Sequence, residues 1–386
     1  MVKLNPLFLI FFSGIIICLV VQGCNNVTDS TGKKANSDFV TISVDIDNVS
    51  NLSVFDIFSR IEVIPLKTEE NSIIKEIEKI ICFDSHFYIL DKYQNAVFIF
   101  DSIGNFRMKI QRVGNGPGEY SLLYDININP YTNELELLNP RGELLIYSLD
   151  GEYKGSIAIP LRSTARFALL SRDTVVYYSR YEKNKLFYFS RSLNKIIKEE
   201  FEFPEVILRT PLISTHSSPF NQSGSETTFF QGFSNDIYKI DSLSVRLKFR
   251  WDFGERNFDY KELPLEKDIQ FYADYLRSCN KAYCFNYYLE NEHYILTRFM
   301  YDKLWNTLIY DKMKKKYMII KRFRENIVPP AVPVFFNDGI VTFIDPMQVQ
   351  ILLNESVLEE PYRSIFTNLK PEDNPVLIKY YFKNTE

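Results

Sequence analysis

Phe87-Tyr-Ile-Leu-Asp91, Lys92-Tyr-Gln-Asn95, Ala96-Val-Phe-Ile-Phe-Asp101, Ser102-Ile-Gly-Asn105 and Phe106 to Ile110 follow one another without a break. Three short runs rich in aromatic and β-branched residues are separated by two tight, polar turns, the pattern of antiparallel strands. Alternation within Val97–Phe98–Ile99–Phe100 is overlaid by apolar residues at every position, so this strand is expected to be buried on both faces. Similar units follow at Glu134–Leu138 with Leu144–Tyr147, turning at Asp150-Gly151, and at Val175–Tyr178 with Leu186–Phe189. Two more occur at Asp236–Ile240 with Val245–Phe249, and at Tyr294–Phe299 with Thr307–Asp311. One strand residue per unit, Phe100, Tyr147, Phe189, Ile240 and Tyr310, gives steps of 47, 42, 51 and 70 residues. A repeat of about 40–50 residues built of four strands is a propeller blade.

The 70-residue step contains Pro264 to Cys279, with apolar residues at Leu265, Ile269, Tyr272, Leu276 and Cys279. That spacing forms one face of a helix, with Pro264 suited to the first turn. Thr210–Thr228 and Ser356–Asn374 are looser, and the second is expected to carry short helical turns. A sixth unit comes from Val334-Phe-Phe, Gly339–Ile344 and Val376–Phe382. Almost nothing follows it, so an N-terminal strand, Phe39–Ile46 or Ile61–Leu66, must complete the last blade and leave no open edge. The expected fold is all-β: a six-bladed β-propeller of four-stranded antiparallel blades, with a helical insertion around 264–279. An array of β-sandwiches is the alternative. The domain reading is residues 1–23 as a signal peptide, 24–38 as a flexible tether and 39–386 as the propeller.

Composition agrees with a β-rich globular chain. Of 386 residues 15% are aromatic, with 32 Phe and 25 Tyr, and charged residues are 24%. Formal net charge is −4, with no basic excess for phosphates, so nucleic acid is a poor partner. Lys3 is the only charge before Asp29, and an apolar run from Leu7 to Val21 follows Pro6. Fifteen helical residues reach about 22 Å, short of the ~30 Å hydrocarbon core, as in the apolar centre of a secretory signal. The run ends in Val21-Gln22-Gly23-Cys24, which resembles a bacterial lipobox. The resemblance implies acylation of Cys24, palmitate included, and cleavage before it. The alternatives are an ordinary cleaved signal and an uncleaved anchor. More than one acyl chain makes attachment stable. Cys82, Cys279 and Cys284 remain as an odd set that forms no disulfide framework; Cys279 and Cys284 pair, or all three are buried free thiols.

The span from Ile61 to Phe382 resembles the six-bladed propeller lipoproteins abundant in Bacteroidetes, related to NHL-repeat and TolB-like propellers. The likeness is sharpest in Ile61-Glu-Val-Ile-Pro-Leu-Lys-Thr68, in Tyr88-Ile-Leu-Asp91 with Phe100-Asp101 and Gly104, and in Gly114-Asn-Gly-Pro-Gly-Glu-Tyr120. It implies an outer-membrane location in the cell envelope and no common activity.

Gly114–Gly118 lacks the Gly-Lys-Ser/Thr ending of a phosphate cradle, and Pro117 removes a donor, so it reads as a chain reversal. His86, His216 and His293 have no second metal ligand at motif spacing, and no metal is assigned. No hydrolase or zinc motif is present, although a triad assembled from distant loops has no sequence signature. Connections between second and third strands, and those entering each next blade, share one face. That face collects Asp91, Tyr93 and Asn95; Arg112, Glu119 and Tyr120; Asn139 and Arg141; Arg180, Tyr181 and Lys183; and Tyr301, Lys303 and Trp305. Rings beside Arg and Asn suit a ligand, and Tyr93, Arg112, Tyr120, Arg141, Arg180, Tyr181 and Trp305 are the candidate binding residues. The bland reading is that such residues decorate any solvated turn. Two functional classes follow. One is a membrane-tethered, monomeric, non-catalytic propeller that engages a glycan, peptide or envelope protein without a cofactor. The other resembles the calcium-centred six-bladed enzymes of lactonase type, a hydrolase or lyase with Ca2+ held by Asp91, Asn139 and Asp345.

Overall fold

The structure, a computed structural model, describes residues 39–179, 182–209, 218–242, 244–265, 267–336 and 339–383. The signal peptide, the tether through Asp38, and Cys24 fall outside the described residues. Six antiparallel sheets follow one another along the chain. Blade 1 is β3 (Lys79–Phe83), β4 (His86–Asp91), β5 (Ala96–Asp101) and β6 (Phe106–Ile110), and blade 2 is β7 (Asp125–Asn129), β8 (Glu134–Asn139), β9 (Glu143–Ser148) and β10 (Tyr153–Ala158). Blade 3 is β11 (Thr164–Leu169), β12 (Thr174–Ser179), β13 (Asn184–Ser190) and β14 (Lys195–Glu202). Blade 4 is β15 (Phe220–Ser223), β16 (Glu226–Phe230), β17 (Asp236–Ile240) and β18 (Val245–Asp252). Blade 5 is β19 (Tyr283–Glu290), β20 (Tyr294–Tyr301), β21 (Leu304–Asp311) and β22 (Lys316–Ile320). Blade 6 takes β23 (Val334–Phe336), β24 (Gly339–Ile344) and β25 (Val376–Phe382) from the C-terminal end, and β2 (Phe58–Pro65) from the N-terminal end.

The six-bladed expectation holds, and the ring closes through the second of the two predicted segments. β2 pairs antiparallel with β25, from Phe58 opposite Phe382 to Pro65 opposite Val376. The first segment does something else: β1 (Val40–Ser43) adds parallel to β18 as a fifth strand of blade 4. The residues explain the choice. β2 places Ile61 and Val63 against blade 5 and Ile64 against blade 1, all buried, whereas Val40 is 63% exposed.

Alternate residues of one strand pack against different neighbours, which is why period-2 patterning is hidden in the sequence. In β5, Phe98 and Phe100 enter the cluster shared with blade 6, while Val97 and Ile99 enter the cluster shared with blade 2. Every blade interface has such a cluster, and the one between blades 5 and 6 extends over the insertion after β24. That insertion carries α4 (Tyr362–Thr367), a short helical turn of the kind expected in Ser356–Asn374, and before that stretch α3 (Val349–Leu352), which was not expected. Gly104 is needed where blade 1 meets β2: its φ is +88°, and a Cβ would lie 2.1 Å from the carbonyl oxygen of Pro65.

Two expectations are corrected. The inserted helix, preceded in chain order by the short α1 (Glu205–Arg209), is α2 (Ile269–Ser278), shorter than 264–279. Asp268 caps it by accepting from Phe271 N at 2.7 Å, and Pro264 lies before it as acceptor for the Tyr272 hydroxyl at 2.8 Å. Only the C-terminal part of the predicted face packs: Tyr272 and Leu276 are buried, Leu265 and Ile269 exposed. The loose stretch Thr210–Thr228 contains β15 and the start of β16, whose polar residues conceal strands.

Candidate functional site

Strand order fixes the geometry of the faces. The second-to-third turns and the blade-to-blade connections lie on one side of the ring, and the first-to-second and third-to-fourth hairpins on the other. α1, α2, α3 and α4 all belong to the connection side. The inner strands β3, β7, β11, β15, β19 and β23 surround an axial cavity of about 260 Å³, lined among others by Cys82, Asn127, Phe167, Asn221 and Tyr287.

At the starts of three inner strands lies a neutralised charge cluster. Glu78 pairs with Arg166, and Lys79 Nζ donates to Asp125 Oδ1 at 2.8 Å and to the Ile126 carbonyl at 2.7 Å. Asp125 Oδ2 accepts from Phe167 N at 3.0 Å, and Arg166 Nη1 donates to the Tyr124 carbonyl at 2.7 Å. These contacts latch blades 1, 2 and 3 together around the axis, two cations against two anions. The cavity wall adds amides: Asn127 Nδ2 donates to the Phe167 carbonyl at 3.0 Å, and Gln222 Nε2 to that of Leu169 at 2.9 Å.

Of the predicted binding residues, Tyr93 is 69% exposed on the β4–β5 turn, with Lys75 Nζ 5.1 Å from its ring centroid. Arg112 is exposed, its guanidinium 5.8 Å from the Tyr147 ring. Arg141 is exposed on the β8–β9 turn, which Asn139 Oδ1 shapes by accepting from Arg141 N at 3.2 Å. Arg180 and Tyr181 lie outside the described residues. Tyr120 is corrected: at 1% exposure its hydroxyl accepts from Arg112 N at 3.2 Å and donates to the Asn95 carbonyl at 3.1 Å. It fastens the glycine-rich connection to blade 1 and offers no surface to a ligand. Lys183 pairs with Glu202 at 2.7 Å, and the buried Tyr301 donates to Asp47 at 2.9 Å. Trp305, 37% exposed, stands on blade 5, three blades from Arg141. Among the described residues, Tyr93, Arg141 and Trp305 therefore share a face but stand on three different blades.

Sequence reasoning missed the neighbour of Trp305. Arg298 sits in β20 between Tyr287 of β19 and Thr307 of β21, its guanidinium carbon 4.9 Å from the Trp305 ring centroid. Burial pushes its pKa down, with only the Tyr287 hydroxyl acting the other way. Alternation was the available signal: Leu296, Arg298 and Met300 fall on one face of β20, and a charge amid apolar inward positions is unusual.

The oxygens named for Ca2+ are each engaged in their own turn. Asp91 is buried, accepting from Lys75 N at 2.7 Å and Gln94 N at 2.9 Å, and Asp345 accepts from Met347 N at 2.8 Å in its own turn. Among the described residues no group of three or more His, Cys, Asp or Glu is arranged to hold a metal. His86 and His293 sit at first-to-second hairpins, on the opposite side, and His216 is outside the described residues. Cys82, Cys279 and Cys284 are free thiols. Burial pushes Cys82 up to about 12 and Cys284 to about 11, which removes the thiolate a nucleophile needs.

The family model described as "Domain of unknown function (DUF4934)" matches residues 38–381, and the chain belongs to that family. Its fold is similar to that of a Bacteroides fragilis protein described as exported, with TM-score 0.74 and 17% identity over 89% of this chain and 100% of the other. A member of the duf4221 family from Bacteroides vulgatus aligns with TM-score 0.49 and 10% identity, over 84% of this chain and 97% of its own. No curated protein matches the sequence.

Proposed function

We propose that this protein is a lipid-anchored, non-catalytic binding propeller of the cell envelope that engages its ligand or partner through the connection side of the ring. The carrying observation is exposed apolar surface on that side: Tyr93, Trp305, Leu304, Phe271, Ile269 and Met347 are all at least 37% exposed. Blade packing has no use for them, and aromatic residues beside arginine are the groups that dominate binding energetics. The mouth charges are already paired, and the thiols are held protonated, so recognition rather than covalent chemistry suits what remains. A glycan, a peptide or an envelope protein would each meet rings and cations there.

Attachment rests on the lipobox-like Val21-Gln22-Gly23-Cys24, and export is supported by the description of the Bacteroides fragilis neighbour. Cys24→Ala should abolish acylation and either release the protein from the membrane fraction or leave an uncleaved precursor. Unchanged acylation would end the anchor reading. For the binding reading, the full chain in detergent is titrated against a panel of glycans and peptides. Turnover of a lactone or ester that a chelator abolishes would hand the argument to a calcium enzyme.

A further inference from the structure

Arg298 is a charge without a counter-charge. Other cations within the ring have an acidic partner: Arg166 has Glu78, Lys79 has Asp125, Arg191 has Glu136, and Lys248 and Lys312 share Glu290. Arg298 is half-buried, and among the described residues no carboxylate or carbonyl is seen to accept from it. Its one cationic contact is the Trp305 ring. A half-buried guanidinium with no acid beside it is free to take an anionic partner from outside, and partial burial strengthens such a pairing.

The surroundings restrict that partner. The guanidinium fork matches a carboxylate in a bidentate way. It lies beneath an indole that is itself partly open to solvent, 37% exposed at the rim. Arg298 and Trp305 belong to the second and third strands of blade 5, both hydrogen-bonded on each side, so no strand edge is free for an extended peptide. What is offered is a flat ring face beside an anion fork. Resting on the binding reading above, we infer that the Arg298–Trp305 pair is a subsite for a carboxylate-bearing sugar, the uronate unit of an acidic oligosaccharide, with its carboxylate on Arg298 and its ring against Trp305.

The test titrates the detergent-solubilised full chain with trigalacturonate, neutral trigalactose and hexaglutamate. The wild type should bind trigalacturonate best. Arg298→Met should weaken that binding about 10- to 100-fold, the loss expected for a charge-assisted bidentate contact, and Arg298→Lys should recover only part of it. Because Arg298 makes no ion pair and its one cationic contact is the partly exposed Trp305 ring, Arg298→Met should melt close to the wild-type temperature. A marked fall in melting temperature would overturn the assignment by showing a structural role. Equal binding of trigalacturonate and trigalactose, lost in Trp305→Ala, would refute the carboxylate while leaving the binding face standing. Preference for hexaglutamate would replace the sugar by an acidic peptide. Absence of binding by all three, with connection-side variants also silent across a wider panel, would sink both readings.

Discussion

Ring closure by β2 makes a quantitative demand on Phe58. Its side chain is 1% exposed, with ring centroids 5.1 Å from both Tyr380 and Phe382 of β25. Phe382 stacks in turn on Tyr294 of blade 5 at 4.5 Å, so one ring on the closing strand supports the blade 5–6 interface. Phe58→Ala removes that ring from a site with no freedom to collapse, at a cost of about 3–5 kcal/mol. Unfolding entropy near 2.1 cal/mol/K per residue gives ~0.7 kcal/mol per degree for a domain of about 350 residues, so the melting temperature should fall by about 4–7 °C. Phe55→Ala, three residues earlier and 36% exposed, should shift it by less than about 1 °C. Thermal unfolding followed by near-ultraviolet circular dichroism reads both. If Phe58→Ala melts with the wild type, β2 does not close the ring.

Further outcomes follow from named contacts. Glu290 binds Lys248 at 2.6 Å, Lys312 at 2.5 Å and the Tyr288 hydroxyl across blades 4 and 5. Burial alone would raise its pKa, but those hydrogen bonds hold it below the ordinary value of 4.5. Its stabilisation is therefore full above pH ~4.5 and lost as pH falls through the lower folded value. Glu290→Gln should cost about 2 kcal/mol at pH 7, the lysines being partly exposed, and flatten the acid limb of a stability–pH curve; an unchanged limb would count against the network. Gly118 has φ +74°, and a Cβ would meet the Tyr153 ring at 2.7 Å, so Gly118→Ala should lower stability by about 1–3 kcal/mol in a denaturant titration. Tyr120→Phe should cost about 1–2 kcal/mol and leave ligand affinity unchanged; lost affinity at normal stability would restore Tyr120 to the site.

Third strands were the legible part of the fold. Phe100, Tyr147, Phe189, Ile240 and Tyr310 all lie in third strands, because a strand buried on both faces is a continuous apolar run that composition betrays. Inner strands were harder. β15 reads Phe220-Asn-Gln-Ser because it borders the axial cavity, and polar residues there erase the strand signal. α2 begins five residues after Pro264 because the apolar spacing extends past the cap that Asp268 sets. At the candidate site, turn positions told which side Tyr93, Arg141 and Trp305 occupy, but not burial. Tyr120 looks like Tyr93 in sequence and is sealed by backbone partners from the β4–β5 turn and the segment after β6. The mouth pairs, Glu78 with Arg166 and Lys79 with Asp125, join residues from different blades. No local pattern encodes such distances, and Arg298 was visible only as a broken alternation.

The central claim, that the connection side is the recognition side, is tested most directly by paired surface variants in one binding assay. The full chain is titrated with its best ligand from a glycan and peptide panel, alongside Trp305→Ala and Tyr93→Ala. The matched controls are Ile103→Ala and Met313→Ala, on third-to-fourth hairpins of the opposite side and 70% and 69% exposed. At least one connection-side variant should lose affinity tenfold or more, on the scale of a central hot spot, and the controls should lose none. Affinity that survives both connection-side substitutions and falls with Ile103→Ala or Met313→Ala would contradict the claim.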